Sequence, residues 1–525
     1  MSSGPQVSPG TASAARRRTL IGAAILLTVL SLSVVRAANQ SVVHDEALTY
    51  NLLVPRSWNA IRWDFNSNNH TLHTLLVKAS TSVFGLSPFT LRLPALLGGL
   101  LYLLMAERLC RKACSSTVLY ALALLALTTS PFILDYLVVA RGYSLALGFL
   151  LSALYLGWGV LSDGGGGAGK PPAGRKYVTI SVLCALSVAS NLSFAFVSAA
   201  LLGVLWGMAG RRGDSSLPQV SKRALMLVLP GLAVYLVINP GILRLSSRSL
   251  FYGAQSWSAT YASVVGALFD DFVRFRRTPF VRELLAGGVN VLLLVFGTIA
   301  LVGLVDAARK RWMLETNGSP KREGPSVFLL FTALVFGLTV ALHGLAYALA
   351  GVLLPLERTA IFFVPLGALI VVLAAESLGG SALARGVRAF VGAGFAAMVI
   401  VFLAFPHTTY FRQWKYDAGS REVFQAINSL AEQRLGRRIS IDWLLEPSLN
   451  FYRTYFRAES LPRFTREPLD ASASIFALLP RRSEEDRRLM TALHLRVVHG
   501  DPLSGAVVAL QPHRDNIRRG RWDPP

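Results

Sequence analysis

His44-Asp45-Glu46 places an imidazole and two carboxylates in consecutive positions, a few residues beyond the first long apolar run. A carboxylate held there can take a proton from a hydroxyl. The plain alternative is a helix start, where an acid in the first turn complements the positive end of the helix dipole. Further on, Asn66-Ser67-Asn68-Asn69-His70-Thr71-Leu72-His73 gathers amides and imidazoles able to hydrogen-bond sugar hydroxyls. The same run also reads as a polar turn before an interfacial helix over Thr74–Phe84. The spacing of His44, His70 and His73 does not match a metal-ligand pattern.

Three more charged positions stand at the ends of apolar runs. Asp135 and Arg141 flank the turn that ends in Ala140-Arg141-Gly142-Tyr143. A charge at mid-bilayer costs about 2.5–3.5 kcal/mol and much less at the boundary, so the two are either functional or a simple interfacial ion pair. Arg358, in Leu356-Glu357-Arg358-Thr359, heads a late apolar run, and no other Lys or Arg lies between His343 and Leu356. An isolated cation there suits a lipid phosphate; pairing with Glu357 or snorkelling to headgroups are the alternatives. Asp270-Asp271, followed by Arg274, Arg276 and Arg277, reads as a second acid site or, preferably, as part of an amphipathic helix on the membrane surface.

The elements that must position these residues are membrane spans. The chain of 525 residues is 53% hydrophobic and 15% charged, against about 25% charged in an ordinary soluble protein. Its apolar residues fall in runs of roughly 16–22, the length that crosses a hydrocarbon layer about 30 Å thick. About eleven such runs are expected: 19–37, 89–107, 117–134, 143–161, 177–192, 193–209, 224–240, 285–305, 326–346, 359–377 and 389–405. Arg16–Arg18 precede the first. Every second connection is then basic: Arg108, Arg111 and Lys112; Lys170, Arg175 and Lys176; Arg211, Arg212, Lys222 and Arg223; Arg309–Arg311, Lys321 and Arg322; Arg385 and Arg388. Retention of Lys and Arg on the cytoplasmic side puts residues 1–18 inside. Both flanks of 177–209 are basic, so that stretch must cross twice, with a turn near Asn191. The first run is read as an uncleaved span, since no cleavage site follows it.

An odd number of crossings places residues 406–525 outside, as a small α/β domain. Its helices are expected over 419–435 and 446–456, and its strands over Arg438–Trp443, Ser474–Leu479 and Leu495–His499. The membrane module is 19–405, with long external loops at 38–88 and 241–284. Gly164–Gly169 is a flexible linker, lacking the ending of a phosphate loop. The net charge of +23 follows the membrane-flanking pattern and does not point to nucleic acid. Cys110, Cys114 and Cys184 lie outside the C-terminal domain and indicate neither disulfides nor a zinc cluster.

Taken together, the acidic pair in the first external loop, the His-bearing polar run, Leu91-Arg92-Leu93-Pro94-Ala95, Ala140-Arg141-Gly142-Tyr143 and Glu357-Arg358 resemble the GT-C class of membrane glycosyltransferases. The branch most alike holds the protein O-mannosyltransferases and the bacterial aminoarabinose transferase of lipid A. The sequence lacks that branch's His-Pro-Pro and the Trp-Trp-Asp of oligosaccharyltransferases, which points away from en bloc glycan transfer. The resemblance implies an inverting transfer of one sugar from a polyprenyl-phosphate donor to a hydroxyl of a lipid, glycan or protein, outside a bacterial plasma membrane. It implies Asp45 as catalytic base with Glu46 beside it, and Arg141 and Arg358 at the donor phosphate. His44, Asn69, His70, Tyr143 and Glu357 are expected to contact acceptor or sugar. A divalent metal at the phosphate is left open, and no other cofactor is called for. A flippase for lipid-linked sugars and an O-antigen-type polymerase are the competing functions; against the first, no internal repeat is found.

Overall fold

The computed structural model describes residues 9–66, 68–162, 173–210, 216–245, 252–274, 278–316, 325–405, 408–433 and 438–512. Ser67, Gly164–Gly169, Lys170, Arg211, Arg212, Arg276, Arg277, Lys321 and Arg322 lie outside the described residues.

The chain opens with α1 (Pro9–Asn39), then three short helices, α2 (His44–Leu53), α3 (Trp58–Trp63) and α4 (Thr71–Phe84). The bundle continues through α5 (Pro88–Ala113), α6 (Thr117–Thr129), α7 (Pro131–Val138), α8 (Tyr143–Ser162), α9 (Ala173–Ser190), α10 (Ala195–Gly210) and α11 (Leu217–Ile238). It ends with α12 (Trp257–Arg274), α13 (Pro279–Thr316), α14 (Pro325–Ala350), α15 (Phe363–Ser377) and α16 (Ala382–Ala404). Among the described residues nine helices are long and apolar enough to cross a membrane, and ten if α6 and α7, bent by 58° at Ser130-Pro131, count as one span. The eleventh expected span is α9, whose first turn carries Arg175 and Lys176 and whose apolar face is diluted by Ser and Thr. It packs along α8 and α11, and Asn191 caps the turn that separates it from α10, at the place the charge argument requires.

The basic turns gather at one end of the bundle. Arg18 Nη1 donates to the Cys114 carbonyl at 2.9 Å, the Ser115 amide to Glu376 at 2.8 Å and Lys310 to the Ser377 carbonyl at 2.7 Å. The α1–α2 link, the turn at 140–143 and the C-terminal domain gather at the other. The Arg108–Lys112 cluster ends α5, and Arg309–Arg311 lie inside α13 ahead of its last turn, rather than in loops.

The C-terminal domain comprises α17 (Ser420–Gln433), β1 (Ile439–Ile441), α18 (Glu446–Tyr455), β2 (Ile475–Leu478), α19 (Glu484–Ala492), β3 (Arg496–Gly500) and β4 (Val507–Leu510). Its sheet runs β1-β2-β4-β3, with β1 parallel to β2 and the other pairs antiparallel. The edge strand β3 is interrupted between Val497 and His499. The domain has no separate core on its inner side: Val423, Phe424, Leu449 and Tyr452 pack in one cluster with Val42, Ala47, Val77, Leu91 and Ala140.

Among the described residues one ion pair has no exposed side-chain surface on either partner. Arg92 of α5, fully buried, donates from Nε to Glu46 Oε1 at 2.8 Å and from Nη2 to Oε2 at 2.6 Å. Its remaining donors satisfy the carbonyls of Ala37, Gln40 and Ser41, where the chain leaves α1. Glu46 also accepts from the Ala140 amide at 2.5 Å and the Val43 amide at 3.0 Å. One carboxylate thus ties α1, α2, α5 and the 140 turn. Removing one partner of such a pair costs about 3–5 kcal/mol, because the other charge is left buried alone. Arg92→Met is therefore expected to lower the thermal midpoint in detergent sharply, and Glu46→Gln, which keeps its shape and some of its bonds, by less.

Candidate active site

The first turn of α2 carries Asp45 into a cavity of about 770 Å³. Its lining is mixed: Asp45, Asn66, Asn68, Asn69, His70 and Arg141 are polar, Val188, Ala189, Leu192, Ala195, Phe196, Val352 and Leu353 apolar, with Asn191, Ser193, Asn239 and His343 also on the wall. Two guanidinium groups approach one oxygen of Asp45, Arg358 Nη1 at 3.2 Å and Arg141 Nη2 at 3.8 Å. Burial alone would raise the pKa of this carboxyl; Arg141 and Arg358 outweigh it and hold the pKa below its ordinary value. Asp45 is thus an ionised carboxylate within a cationic clamp.

Each arginine is held by a local device. Arg141 follows a tight turn in which its own amide reaches the Val139 carbonyl at 2.6 Å and its carbonyl accepts from Tyr143 at 2.7 Å. Its Nη1 donates to Asn68 Oδ1 at 2.6 Å and to Thr49 Oγ1 at 3.1 Å. The turn presses on the end of α9: a Cβ on Gly142 would stand 1.7 Å from the Ser190 carbonyl oxygen. Only glycine fits there, which gives the Arg-Gly pair its physical reason. Arg358 is set by its neighbour. Glu357 has φ +44°, in the left-handed region that costs a non-glycine residue energy. Its amide donates to Ser263 Oγ at 2.9 Å, and its carboxylate accepts from Gln413 at 3.0 Å and from Tyr252 at 3.2 Å. The Arg358 guanidinium then lies 4.7 Å from the Tyr252 ring centre and 5.6 Å from that of Trp414.

Of the residues singled out from sequence, Asp45, Asn69, His70, Tyr143, Arg141 and Arg358 line one cavity. Burial foremost, then Arg141, lowers the His70 pKa far below its ordinary value, so the ring is neutral and its Nε2 has no hydrogen-bond partner among the described residues. Three others stand elsewhere. Glu46, expected beside the base in the catalytic pair, is instead the buried partner of Arg92, with both oxygens engaged. His44 turns to the C-terminal domain, its Nδ1 2.8 Å from the Leu444 carbonyl, and does not line the cavity. Glu357 supports Arg358 from behind. The interfacial pair imagined for Asp135 and Arg141 does not form: Asp135 pairs with Arg36 at 2.5 Å and accepts from the Arg412 amide. Asp270 and Asp271 belong to α12 and pair with Arg412.

Tyr252, His343, Asp64 and Asn68 also line the cavity, and Trp414 borders Arg358. Asn68 alone carried a signal, its place in the polar run. Among the described residues no group of three or more His, Cys, Asp or Glu is placed to hold a metal. Asp45 faces two cations and Asp64 is paired with Arg56 at 2.5 Å. This donor set does not fit a divalent ion, and no step below is routed through one.

No family model matches the chain, and no curated protein matches it. Among solved structures it is similar to ArnT from Cupriavidus metallidurans in the apo state, with 14% identity and a TM-score of 0.49 over 95% of this chain and 98% of that one. The same protein bound to undecaprenyl phosphate gives 15% identity and 0.49, over 94% and 98%. The oligosaccharyltransferase AglB from Archaeoglobus fulgidus, in complex with an inhibitory peptide and a dolichol-phosphate, gives 13% and 0.41 over 86% and 61%. These likenesses concern the layout of the chain.

An opposite charge at this range lowers a carboxyl pKa. Arg358→Gln is therefore expected to raise the Asp45 pKa, read from the pH dependence of its carboxylate infrared band against the Asp45→Asn background. An unchanged band would mean that the clamp does not act on the carboxylate. Gly142→Ala is expected to push the turn off Ser190 and cost at least about 1 kcal/mol of stability, seen in thermal denaturation.

Proposed function

We propose that the chain is a membrane glycosyltransferase that moves one sugar from a polyprenyl-phosphate donor to an acceptor hydroxyl on the side of the C-terminal domain. The observation that carries this reading is the placement of one ionised carboxylate between two arginines, on the wall of a cavity with both polar and apolar lining. An amphiphile with an anionic head and a hydrocarbon chain suits such a mixed lining. Such a ligand enters sideways from the bilayer, with its phosphate at Arg141 and Arg358. Asn69 and His70, on the same wall, offer an amide and a neutral imidazole to sugar hydroxyls.

The step follows from the charges. The acceptor oxygen attacks the anomeric carbon and its proton passes to Asp45. The bond from that carbon to the phosphate oxygen breaks, and the electron pair leaves with the phosphate. The growing negative charge is met by Arg141 and Arg358, so no general acid is required. Attack opposite the departing group inverts the anomeric centre, as in single-displacement glycosidases. When a phosphate engages the two arginines, Asp45 shares their charge with it and regains basicity.

The test is transfer of labelled sugar from a panel of polyprenyl-phosphate sugars by the purified protein in lipid. Wild type is expected to transfer from one of them. Asp45→Asn is expected to lose about 10²–10⁴-fold in rate, the range removed with a general base, while still binding polyprenyl phosphate. Arg141→Gln and Arg358→Gln are expected to weaken that binding. Full transfer by folded Asp45→Asn would dismiss Asp45 as the base. Movement of lipid-linked sugar across liposomes, with no transfer from any donor, would replace this reading with a flippase.

A further inference from the structure

The helix that carries the base begins without a cap of its own. Val43 occupies the N-cap of α2, a position favoured by Ser, Thr, Asp or Asn because their side chains accept from the exposed amides of the first turn. Glu46 supplies the reciprocal half of a capping arrangement by accepting from the Val43 amide. The other half comes from 373 residues away, where Asp417 Oδ2 accepts from the His44 amide at 2.7 Å. Asp417 is fully buried. Its second oxygen accepts from Ser448 Oγ of α18 at 2.8 Å and from Ser420 Oγ of α17 at 3.1 Å. The carboxylate is thus fixed by two helices of the C-terminal domain and spends its remaining oxygen on the turn before Asp45. Neighbouring bonds hold the same seam: the Val42 amide donates to the Tyr452 hydroxyl at 2.8 Å and Asn51 to the Pro447 carbonyl at 2.9 Å.

We propose that Asp417 is a positioning residue, through which the C-terminal domain sets the first turn of α2 and with it the place of Asp45 against Arg141 and Arg358. The inference rests on the reading of Asp45 as base. It assigns the C-terminal domain a part in placing the reacting carboxylate.

The surroundings of Asp417 make the contact sensitive to pH. Burial, opposed by the His44, Ser448 and Ser420 donors, pushes its carboxyl up to about 7, with the charge of Asp45 adding to the rise. Among its titratable neighbours, burial lowers His44, whose ring is engaged by the Leu444 carbonyl and lies 3.4 Å from Arg466. Asp45 is lowered by its arginines, Tyr416 is raised, and Glu446 on α18 pairs with Arg466. Comparison of wild type with Asp417→Asn separates a titration of Asp417 from one of His44. For an acid with a raised pKa the charge is present above about pH 7 and lost below it. The ionised form is the stronger acceptor for the His44 amide and the better complement to the helix start.

The experiment compares wild type, Asp417→Asn, Asp417→Ala and Ser448→Ala in lipid, with two readouts. Hydrogen exchange at the first turn of α2 reads the anchor without any transfer assay. Transfer kinetics against pH read its consequence. Expected is faster exchange in Asp417→Ala and a kcat lower on the order of tenfold to a hundredfold, with donor KM within about twofold. Wild-type kcat should rise through pH 7, and Asp417→Asn, which retains an acceptor oxygen but no charge, should keep intermediate kcat with no inflection there. Should Asp417→Ala fail to fold, Asp417→Asn and Ser448→Ala carry the test. Unchanged exchange, or a loosened turn with unchanged kcat and pH profile, would overturn the proposal. Absence of transfer in wild type, with the turn still loosened by Asp417→Ala, would overturn the function proposed for the site and not the anchor.

Discussion

The bidentate pair of Glu46 and Arg92 is the constraint on which the upper half of the molecule depends. A guanidinium with no exposed surface must have every donor met, and five acceptors from the α1–α2 link and α2 surround this one. The pair therefore fixes where the chain turns after α1, and Glu46 fixes the 140 turn through the Ala140 amide. Asp45 and Arg141 are each one residue from these anchors. Adjacent residues of one helix start divide the labour: one acid is buried for geometry, the next is aimed into the cavity for charge.

The supports of the site are closely constrained. Gly142 lies where no side chain fits against Ser190, and Glu357 holds a left-handed backbone secured by Ser263, Gln413 and Tyr252. Both are immediate neighbours of the arginines that face Asp45. A constrained neighbour beside each cation, by close packing at Gly142 and by a bonded left-handed backbone at Glu357, is what a fixed separation between two like charges requires, since flexible arginines would move apart.

Much of this was legible in the sequence, for a physical reason. Asp45, Arg141 and Arg358 are singled out by their places beside apolar runs and by the resemblance those motifs carry, and they line one cavity; the turn at Asn191 follows from the parity of basic flanks. What could not be read is the rotational phase of α2. Three consecutive polar residues point in three directions, and nothing local says that His44 goes to Leu444, Asp45 to the cavity and Glu46 to Arg92. Long-range partners were equally silent. Tyr252, Trp414 and Asp417 sit in segments with no chemical signature, and they matter only because the chain returns there. The fourth strand, Val507–Leu510, was missed because a short apolar run after a glycine has no alternation to distinguish it.

The shared cluster of Val42, Ala47, Leu91 and Ala140 with Val423, Leu449 and Tyr452 bears on how the protein is made. The loop bearing Asp45 leaves the ribosome early, among the first tenth of the chain, yet the surfaces that cover it are among the last. Chains fold from the N-terminus as they emerge, so this loop waits, its apolar side uncovered, through the synthesis of every later helix of the bundle. A chain interrupted before residue 411 would hold most of its spans and still lack the packing that shapes the turn before its carboxylate. Biosynthesis thereby reaches the centre of the molecule last, and an unfinished copy carries its helices without a finished site.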